Sequence, residues 1–427
     1  MDTFSRRQFL KSGIAGAAVA SAVPYFVPRG VLAADGKPGA NDRVAVAAIG
    51  VGGRATLLLQ QLPEDGRIIA LCDCNVSRAE KFKADHKGQW PIYQDYHQVL
   101  DRQDVDAVII GTQEWQRVTP SIHACQAGKD VYAEKPLTLY VQEGRVLVNA
   151  VRKHGRIFQV GSQQRSMALN RIACEAVRTG ALGKLIEVQA PCYPGSGPST
   201  TDVGPAEPTP PGLDWNMWLN QAAWRVFNGR WGGGGRDFNG GEMTNWGAHG
   251  VDQIQWATGM DGTGPVEMWP ASPGINGKVE MRYANGLPVR FMLDHGPWGG
   301  AIFICEKGKL EINRNKFSSN PKQIAVDLLK KVDEANEEKK WSDQTALWQA
   351  RWHLQNWLDC IRTRRRPVAD VEIGHRSVTV CHLANITRWL GRRLKWDPVK
   401  EQFIGDDEAT RWVNRPRRKG YELPDPV

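Results

Sequence analysis

The sequence predicts an α/β chain whose folded part opens with a doubly wound parallel sheet, and three observations carry that expectation. A glycine-rich turn, Gly50-Val51-Gly52-Gly53-Arg54-Ala55, lies between a β-prone run at 43–49 and an apolar, helix-like stretch at 56–62. A second β-prone run, 67–72, ends in Asp73, about 20 residues beyond the turn. Strand-like and helix-like segments then keep alternating, as they do when crossover helices link parallel strands.

Taken in order, each element has a physical reason. Gly50 permits the tight turn, Gly52 lets a backbone approach a pyrophosphate, and Ala55 allows close helix-strand packing while the helix N-terminus faces the phosphates. The Asp73 carboxylate can accept hydrogen bonds from both adenosine ribose hydroxyls and would repel a 2'-phosphate, so NAD is expected in preference to NADP. Arg78, just downstream, is a counterweight, since it can pair with a phosphate. The run 105–110 reads as a buried strand ending at Gly111-Thr112, and 120–127 as a helix stopped by Gly128. A further strand at 130–133 runs into Glu134-Lys135-Pro136.

Composition narrows the remaining classes. A chain of 427 residues implies two or three domains, and 41% hydrophobic with 24% charged residues argues against disorder. The formal charge is +9, gathered partly in the first residues and partly at 362–366 and 415–419. No helix-turn-helix, zinc-finger or RNA-binding signature accompanies it, so no nucleic-acid partner is expected. Eight cysteines with no Cys-x-x-Cys pair support neither a zinc site nor a disulfide framework, and no metal is expected.

The N-terminus reads as an address. Ser5-Arg6-Arg7-Gln8-Phe9-Leu10-Lys11 precedes a mildly apolar run at 12–27, and Val31-Leu32-Ala33 before Ala34 is a plausible cleavage site. Residues 1–34 are therefore expected to be a twin-arginine export signal, with the export machinery as partner and a periplasmic or otherwise exported destination. The apolar run, interrupted by Pro24, falls short of the roughly 20 residues that span a bilayer, so no stable membrane anchor is expected.

The match extends well past the first strands. The Gly50 turn, the stretch Ala127-Gly128-Lys129-Asp130-Val131-Tyr132-Ala133-Glu134-Lys135-Pro136, Gly161-Ser162-Gln163-Gln164-Arg165, Gly240-Gly241 and Asn245-Trp246-Gly247-Ala248-His249 through Asp252 together resemble the Gfo/Idh/MocA family of NAD(P)-dependent sugar and polyol oxidoreductases. Ala369-Asp370-Val371-Glu372-Ile373-Gly374-His375-Arg376-Ser377 is similar to a signature of its exported, twin-arginine members. The resemblance implies a Rossmann domain over 41–161 and a C-terminal α/β domain over 162–427 built on a large open, mostly antiparallel sheet. It also implies a nicotinamide between the domains, a last segment packing back on the Rossmann domain, and a homo-oligomer. Gly50, Gly52, Gly53, Arg54, Asp73, Thr112, Glu134 and Lys135 are the cofactor contacts it implies.

Oxidising a carbinol needs a base for the hydroxyl proton and a positive or donor group beside the developing carbonyl oxygen. By the resemblance, Lys135 supplies the second, its following proline commonly reached through a cis bond. The family's Asp-x-x-x-His-x-x-Asp becomes Asn245, His249 and Asp252 here, all on one helix face. Asn245 cannot take a proton at neutral pH, so His249, with an ordinary imidazole pKa of about 6.5, is the expected base and Asn245 a substrate-positioning group. Asp252 either binds a substrate hydroxyl or pairs within the protein. A second departure, Thr112-Gln113-Glu114-Trp115-Gln116-Arg117, puts Gln113 and Arg117 where the family commonly has Pro and His. Trp115 either stacks on sugar or cofactor or fills the loop's own core. Arg165 and Trp298 are further expected pocket-wall residues.

The chain has 17 Trp, 44 Gly and 25 Pro, many of them between 190 and 300. The stretch 191–241, with Trp215, Trp218, Trp224, Trp231 and Gly232 to Gly235, reads either as a sugar-stacking lid or as a loop packing its aromatics on the protein or a neighbouring subunit. Three functions stay open: an exported NAD-dependent oxidoreductase acting on a sugar or glycoside hydroxyl, an NAD-dependent glycosidase or sugar lyase working by transient oxidation, and a non-catalytic, cofactor-filled saccharide-binding protein.

Overall fold

The computed structural model describes residues 39, 42–199, 204–230, 235–331 and 349–424. The expected export signal at 1–34 and Trp231 lie outside the described residues.

Strand β1 (Val44–Ile49) is buried along its whole length, as a strand covered on both faces must be. With β2 (Gly66–Cys72), β3 (Ile92–Tyr93), β4 (Ala107–Ile110), β5 (Asp130–Ala133) and β6 (Phe158–Val160) it forms a sheet of order β3-β2-β1-β4-β5-β6. Every pair in it is parallel. Alternate residues feed two cores: Ala47, Ile49, Val108 and Ile110 on one face, Val46, Ala48, Ala107 and Ile109 on the other. The first helix begins at Gly53 rather than after the turn, and the helix expected from Pro120 begins at Val118, because proline is tolerated in a first turn.

The second sheet has nine strands: β7 (Leu185–Pro191), β8 (Pro265–Pro270), β9 (Val279–Tyr283), β10 (Pro288–Leu293), β11 (Ala301–Cys305), β12 (Gly308–Asn313), β13 (Lys316–Asn320), β14 (Leu394–Asp397) and β15 (Gln402–Phe403), in the order β13-β12-β11-β7-β10-β9-β8-β14-β15. It is antiparallel except where β10 runs parallel to β7. Val188, Val289, Phe291, Phe303 and Ile312 point into the main core, against residues of the helices Ala168–Arg178, Glu242–Thr258 and Val371–Leu390. The other face carries Arg290 paired with Glu187 and Glu280.

C-terminal elements complete the Rossmann domain. Leu354, Trp357 and Leu358 of helix Arg351–Thr363 close one face of its sheet, while Val371 and Val378 join the core on the other. Gly374 allows the second contact, since a β-carbon there would stand 2.4 Å from Val160 Cγ2. Arg415 and Arg417 reach the buried Glu143 on helix Val141–Lys153. No helix among the described residues is long and apolar enough to cross a membrane, and none of their acidic, His or Cys groups cluster as a metal site would.

Candidate active site

The site lies where the parallel sheet reverses its strand order, between the C-terminal ends of β1 and β4, the usual crevice of such sheets. Gly50 has φ +83°, and a β-carbon on it would stand 2.8 Å from Thr112 N, so the two strand ends approach this closely only with glycine there. Beside Gly52 and Gly53 the space is open, with no atom within 4 Å of a would-be β-carbon. Helix Gly53–Gln60 starts there with no side-chain cap, and the first amides of a helix have no partner within it. An anion fits this cradle, and with Asp73 beyond it the donor set fits a dinucleotide.

Asp73 is buried, its Oδ2 accepting from Val51 N and its Oδ1 from Asn75 N, both at 2.8 Å, so the carboxylate also braces the glycine turn. A small cavity of about 60 Å³ holds Gly50, Asp73, Arg78 and Thr112 on one side and Met217 and Trp218 on the other. That second wall comes from the long irregular stretch, which returns to the Rossmann domain through Val76 N to Gly212 O at 3.0 Å and Asp214 N to Cys74 O at 2.8 Å. The tail holds it down: Arg418 Nε donates to Asn220 O at 2.9 Å and Nη1 to Asn216 Oδ1 at 2.8 Å.

A larger cleft of about 830 Å³ continues from the turn and brings together Gly52, Gly53, Arg54, Thr112, Glu134, Lys135, Asn245 and His249. The Lys135–Pro136 bond is cis. Glu134 accepts from Arg54 Nε at 3.1 Å, Gln163 Nε2 at 2.8 Å and Lys135 N at 3.0 Å. Burial pushes the Glu134 carboxyl up, but Arg54, Lys135 and Arg117 outweigh it and hold it below its ordinary value. Lys135 Nζ crosses the cleft to Asn245, 2.8 Å from Oδ1 and 3.2 Å from the carbonyl. Burial brings its ammonium down to about 8, with Glu134 opposing and Arg314, Arg117 and Arg54 adding to the fall. Asn245 Nδ2 in turn donates to Glu242 at 3.2 Å.

His249 sits one helical turn beyond Asn245 and is buried. Its Nε2 is 3.4 Å from Arg314 Nη1; a guanidinium can only donate, so Nε2 accepts and Nδ1 carries the proton. Burial, then Lys135, Arg314 and Arg54, hold the imidazole well below its ordinary value. The expectation of an unperturbed histidine is thus corrected: His249 is neutral well below pH 7, and positive neighbours oppose its protonation.

The loop after β4 explains the second departure. Arg117, buried, donates to the carbonyls of Thr112 and Pro136 and so ties this loop to the Lys-Pro turn. Glu114 accepts from Gly240 N at 2.8 Å and Thr244 Oγ1 at 3.2 Å, linking the loop to the start of helix Glu242–Thr258; burial pushes its carboxyl up to about 7. Trp115 borders the cleft but is 3% exposed, packed edge-on against Trp218 and Phe238, with its indole N–H given to Trp218 O at 3.1 Å. Of its two expected uses the structure shows the loop's own core. Trp215 and Trp218 likewise stack on each other at 4.6 Å rather than standing free.

Arg165 and Asp252 do not reach the cleft. Arg165 Nε lies 3.0 and 2.8 Å from the Asp252 oxygens, its Nη2 2.6 Å from Asp261, and Ser377 Oγ donates to Asp252 at 2.9 Å. The pocket-wall expectation for Arg165 is corrected, and of the two readings of Asp252 the structure shows pairing within the protein rather than substrate binding: together they form a buried pair that fixes the helix. The reason is distance along the axis: Asp252 shares a face with Asn245 but lies about 10 Å further on, where the helix is covered. Trp298, 38% exposed, packs on Tyr193 and is not in the cleft lining. Sequence reasoning missed Arg314 in the β12–β13 turn and Glu114 in the loop after β4, because a charged residue in a hairpin or loop carries no periodic signal, and Glu242, because an acidic residue in a helix's first turn is commonplace.

Residues 43–162 match the oxidoreductase family's NAD-binding Rossmann fold (GFO_IDH_MocA), and 197–423 match the oxidoreductase family's C-terminal alpha/beta domain (GFO_IDH_MocA_C2). A glycosyl hydrolase family 109 protein of Shewanella amazonensis is 29% identical over 210 residues, 44% of this chain and 46% of its own length. An inositol 2-dehydrogenase of Klebsiella pneumoniae subsp. pneumoniae is 32% identical over 102 residues, 24% of this chain and 30% of its own length. The matches thus span under half the length of these curated relatives. The WlbA dehydrogenase of Chromobacterium violaceum, solved with NADH and UDP-GlcNAcA, overlays with a TM-score of 0.59 at 19% identity, over 84% of this chain and 98% of that one, a likeness of fold. With a parallel Rossmann sheet, an open nine-stranded sheet and both family domains in succession, the chain belongs to the Gfo/Idh/MocA oxidoreductase family.

Proposed function

We propose that this chain is an exported NAD-dependent oxidoreductase that oxidises a hydroxyl of a sugar or glycoside, or runs the reverse. The observation that carries this reading is the 2.8 Å bridge from Lys135 to Asn245 across a polar cleft that begins at the dinucleotide cradle. NAD, when bound, supplies the hydride acceptor. Gly52, Gly53 and the uncapped helix start would hold its phosphates, and Asp73 its adenosine ribose. Lys135 as ammonium stabilises negative charge developing on the substrate oxygen. Neutral His249 takes the hydroxyl proton on Nε2 when the substrate hydroxyl displaces the 3.4 Å approach of Arg314 Nη1 to that nitrogen, and Asn245 orients the substrate and Lys135. Arg117 and Glu114 act at one remove, fixing the Lys-Pro turn and the start of the His249 helix.

Export rests on Arg6-Arg7 and the run after them, and a homo-oligomer on the open face of the nine-stranded sheet. A redox-neutral variant, in which oxidation is transient and a glycosidic bond is cleaved, is favoured by one observation. The wall formed by Met217 and Trp218, pinned by Arg418, covers the adenosine end and would retain a cofactor between turnovers. The relative named as a glycosyl hydrolase is in keeping with it. Purifying the exported form, releasing nucleotide by denaturation and identifying it by mass tests the reading. NAD or NADH is the expected result, and a protein that neither carries nor binds either would overturn it.

A further inference from the structure

We propose that Arg314 is the recognition point for a carboxylate on the substrate, so that the substrate class is an acidic sugar, a hexuronate or its glycoside, rather than a neutral one. This rests on the sugar-oxidoreductase reading above and adds a substrate class to it. Arg314 lines the cleft yet is only 9% exposed. Among the described residues no carboxylate pairs with it, its Nε has no hydrogen-bond partner, and its one polar side-chain contact is the 3.4 Å approach to His249. Other buried guanidiniums each have an acceptor: Arg165 has Asp252 and Asp261, Arg415 and Arg417 have Glu143, and Arg117 and Arg388 have backbone carbonyls. Glu134 acts on it only from a distance, and a buried guanidinium without a direct anionic partner is costly unless a ligand completes it.

The backbone around Arg314 is held as firmly as its side chain is left free. Asn313 Oδ1 accepts from Gly299 N at 3.1 Å and from Arg314 N at 2.7 Å, while Asn170 takes Asn315 N at 2.7 Å and gives its own Nδ2 to Asn313 O at 2.8 Å. The planar fork is therefore presented ready for bidentate contact with a carboxylate. Arg54, Lys135 and Arg314 converge on the cleft, and Glu134 is already engaged with Arg54, Gln163 and the Lys135 amide. Arg54 stands at the phosphate cradle, whereas Arg314 stands beside His249 on the substrate side. An anion there would also offset the positive neighbours that oppose protonation of His249, making it the better proton acceptor when substrate is bound.

The test is calorimetric titration of the NAD-saturated full chain with a panel of hexuronates, their parent hexoses and the hexose 6-phosphates, for wild type, Arg314→Lys and Arg314→Ala. At least one uronate should bind about tenfold or more tightly than its parent hexose. Arg314→Ala should erase that gap and Arg314→Lys keep part of it, with NAD affinity unchanged. No uronate preference in wild type, an equal preference in the alanine variant, tighter binding of the 6-phosphates, or a matching loss of NAD affinity would each overturn the assignment. Turnover on neutral sugars without uronate preference would leave the oxidoreductase reading standing and remove this one; uronate binding through Arg314 without any hydride exchange would do the reverse.

Discussion

Asn245 accepts a 2.8 Å hydrogen bond from Lys135 Nζ at the position where the family's pattern has a carboxylate, so the lysine faces a neutral amide. Its ammonium is accordingly free to fall, and burial brings it to about 8. A group with that pKa sets an alkaline limit, because the charged form is the one that stabilises an oxyanion. Wild-type turnover should decline as pH rises through about 8. Asn245→Asp should move the decline to higher pH, since an adjacent carboxylate favours the ammonium, and leave peak activity within about tenfold. An unmoved alkaline limb in the variant's pH profile would separate Lys135 from the chemistry.

On the acid side, the lowered pKa of His249 means that protonation removes the base only well below the ordinary histidine range. The rate should stay flat from neutrality down through pH 6.5 where a normal histidine would already have cut it. A limb near 6.5 in kcat/KM would show that the free enzyme's base is a different, unperturbed group.

Lys135→Ala and His249→Ala should each lower turnover by roughly 10² to 10⁴, the range for losing a positioned electrostatic or acid-base group. NAD affinity, measured by calorimetry, should change far less for His249→Ala than for substitutions at the Gly50 turn. Full activity surviving both would take these residues out of the mechanism.

Asp73 both faces the small cavity and braces the glycine turn through Val51 N. NAD should bind at least about tenfold more tightly than NADP. Asp73→Ser should narrow that ratio and weaken both cofactors, because the brace is lost along with the charge. Equal wild-type affinities would point to Arg78, on the same cavity, as the group that sets cofactor choice.

Arg165→Met leaves Asp252 and Asp261 without their cation, and breaking a buried pair in this way costs about 3–5 kcal/mol. Denaturant unfolding should show that loss. Joint replacement with Asp252→Leu should recover a good part of it, and substrate KM at low temperature should be close to wild type. A large KM effect with little loss of stability would return both residues to the substrate site.

The parallel half of the fold and the cofactor turn were legible because their physics is local. Gly50 must turn, Ala55 must be small, and Asp73 must follow the second strand, each at fixed spacing. The nine-stranded sheet was not legible from periodicity, since β7 pairs β10 and β11 across roughly a hundred residues of intervening chain; the resemblance implied an open, mostly antiparallel sheet but not its strand order. Lys135, Asn245 and His249 came with the family resemblance and do meet in one cleft. Asp252 and Arg165 shared those motifs and went elsewhere, because helical phase fixes a face but not how far the cavity extends along it. Arg314 reaches the site by tertiary placement of a hairpin, for which three residues, Asn313-Arg314-Asn315, hold no local clue.

Arg6→Lys with Arg7→Lys keeps the charge but removes the guanidinium forks that a twin-arginine receptor is expected to read. Fractionation should find the double variant retained in the cytoplasm. Unimpaired export would mean a different route and would weaken the case for a cofactor loaded before export.

The most direct measurement is single-turnover absorbance of the nicotinamide after mixing NAD-loaded protein with the sugar panel. At least one sugar should form reduced nicotinamide, lasting if the reaction is a net oxidation and transient if a bond is cleaved, and Lys135→Ala should slow its appearance by the same factor of roughly 10² to 10⁴. Sugar bound in the cleft with no reduced nicotinamide at any time would contradict the oxidoreductase reading and leave a saccharide-binding protein.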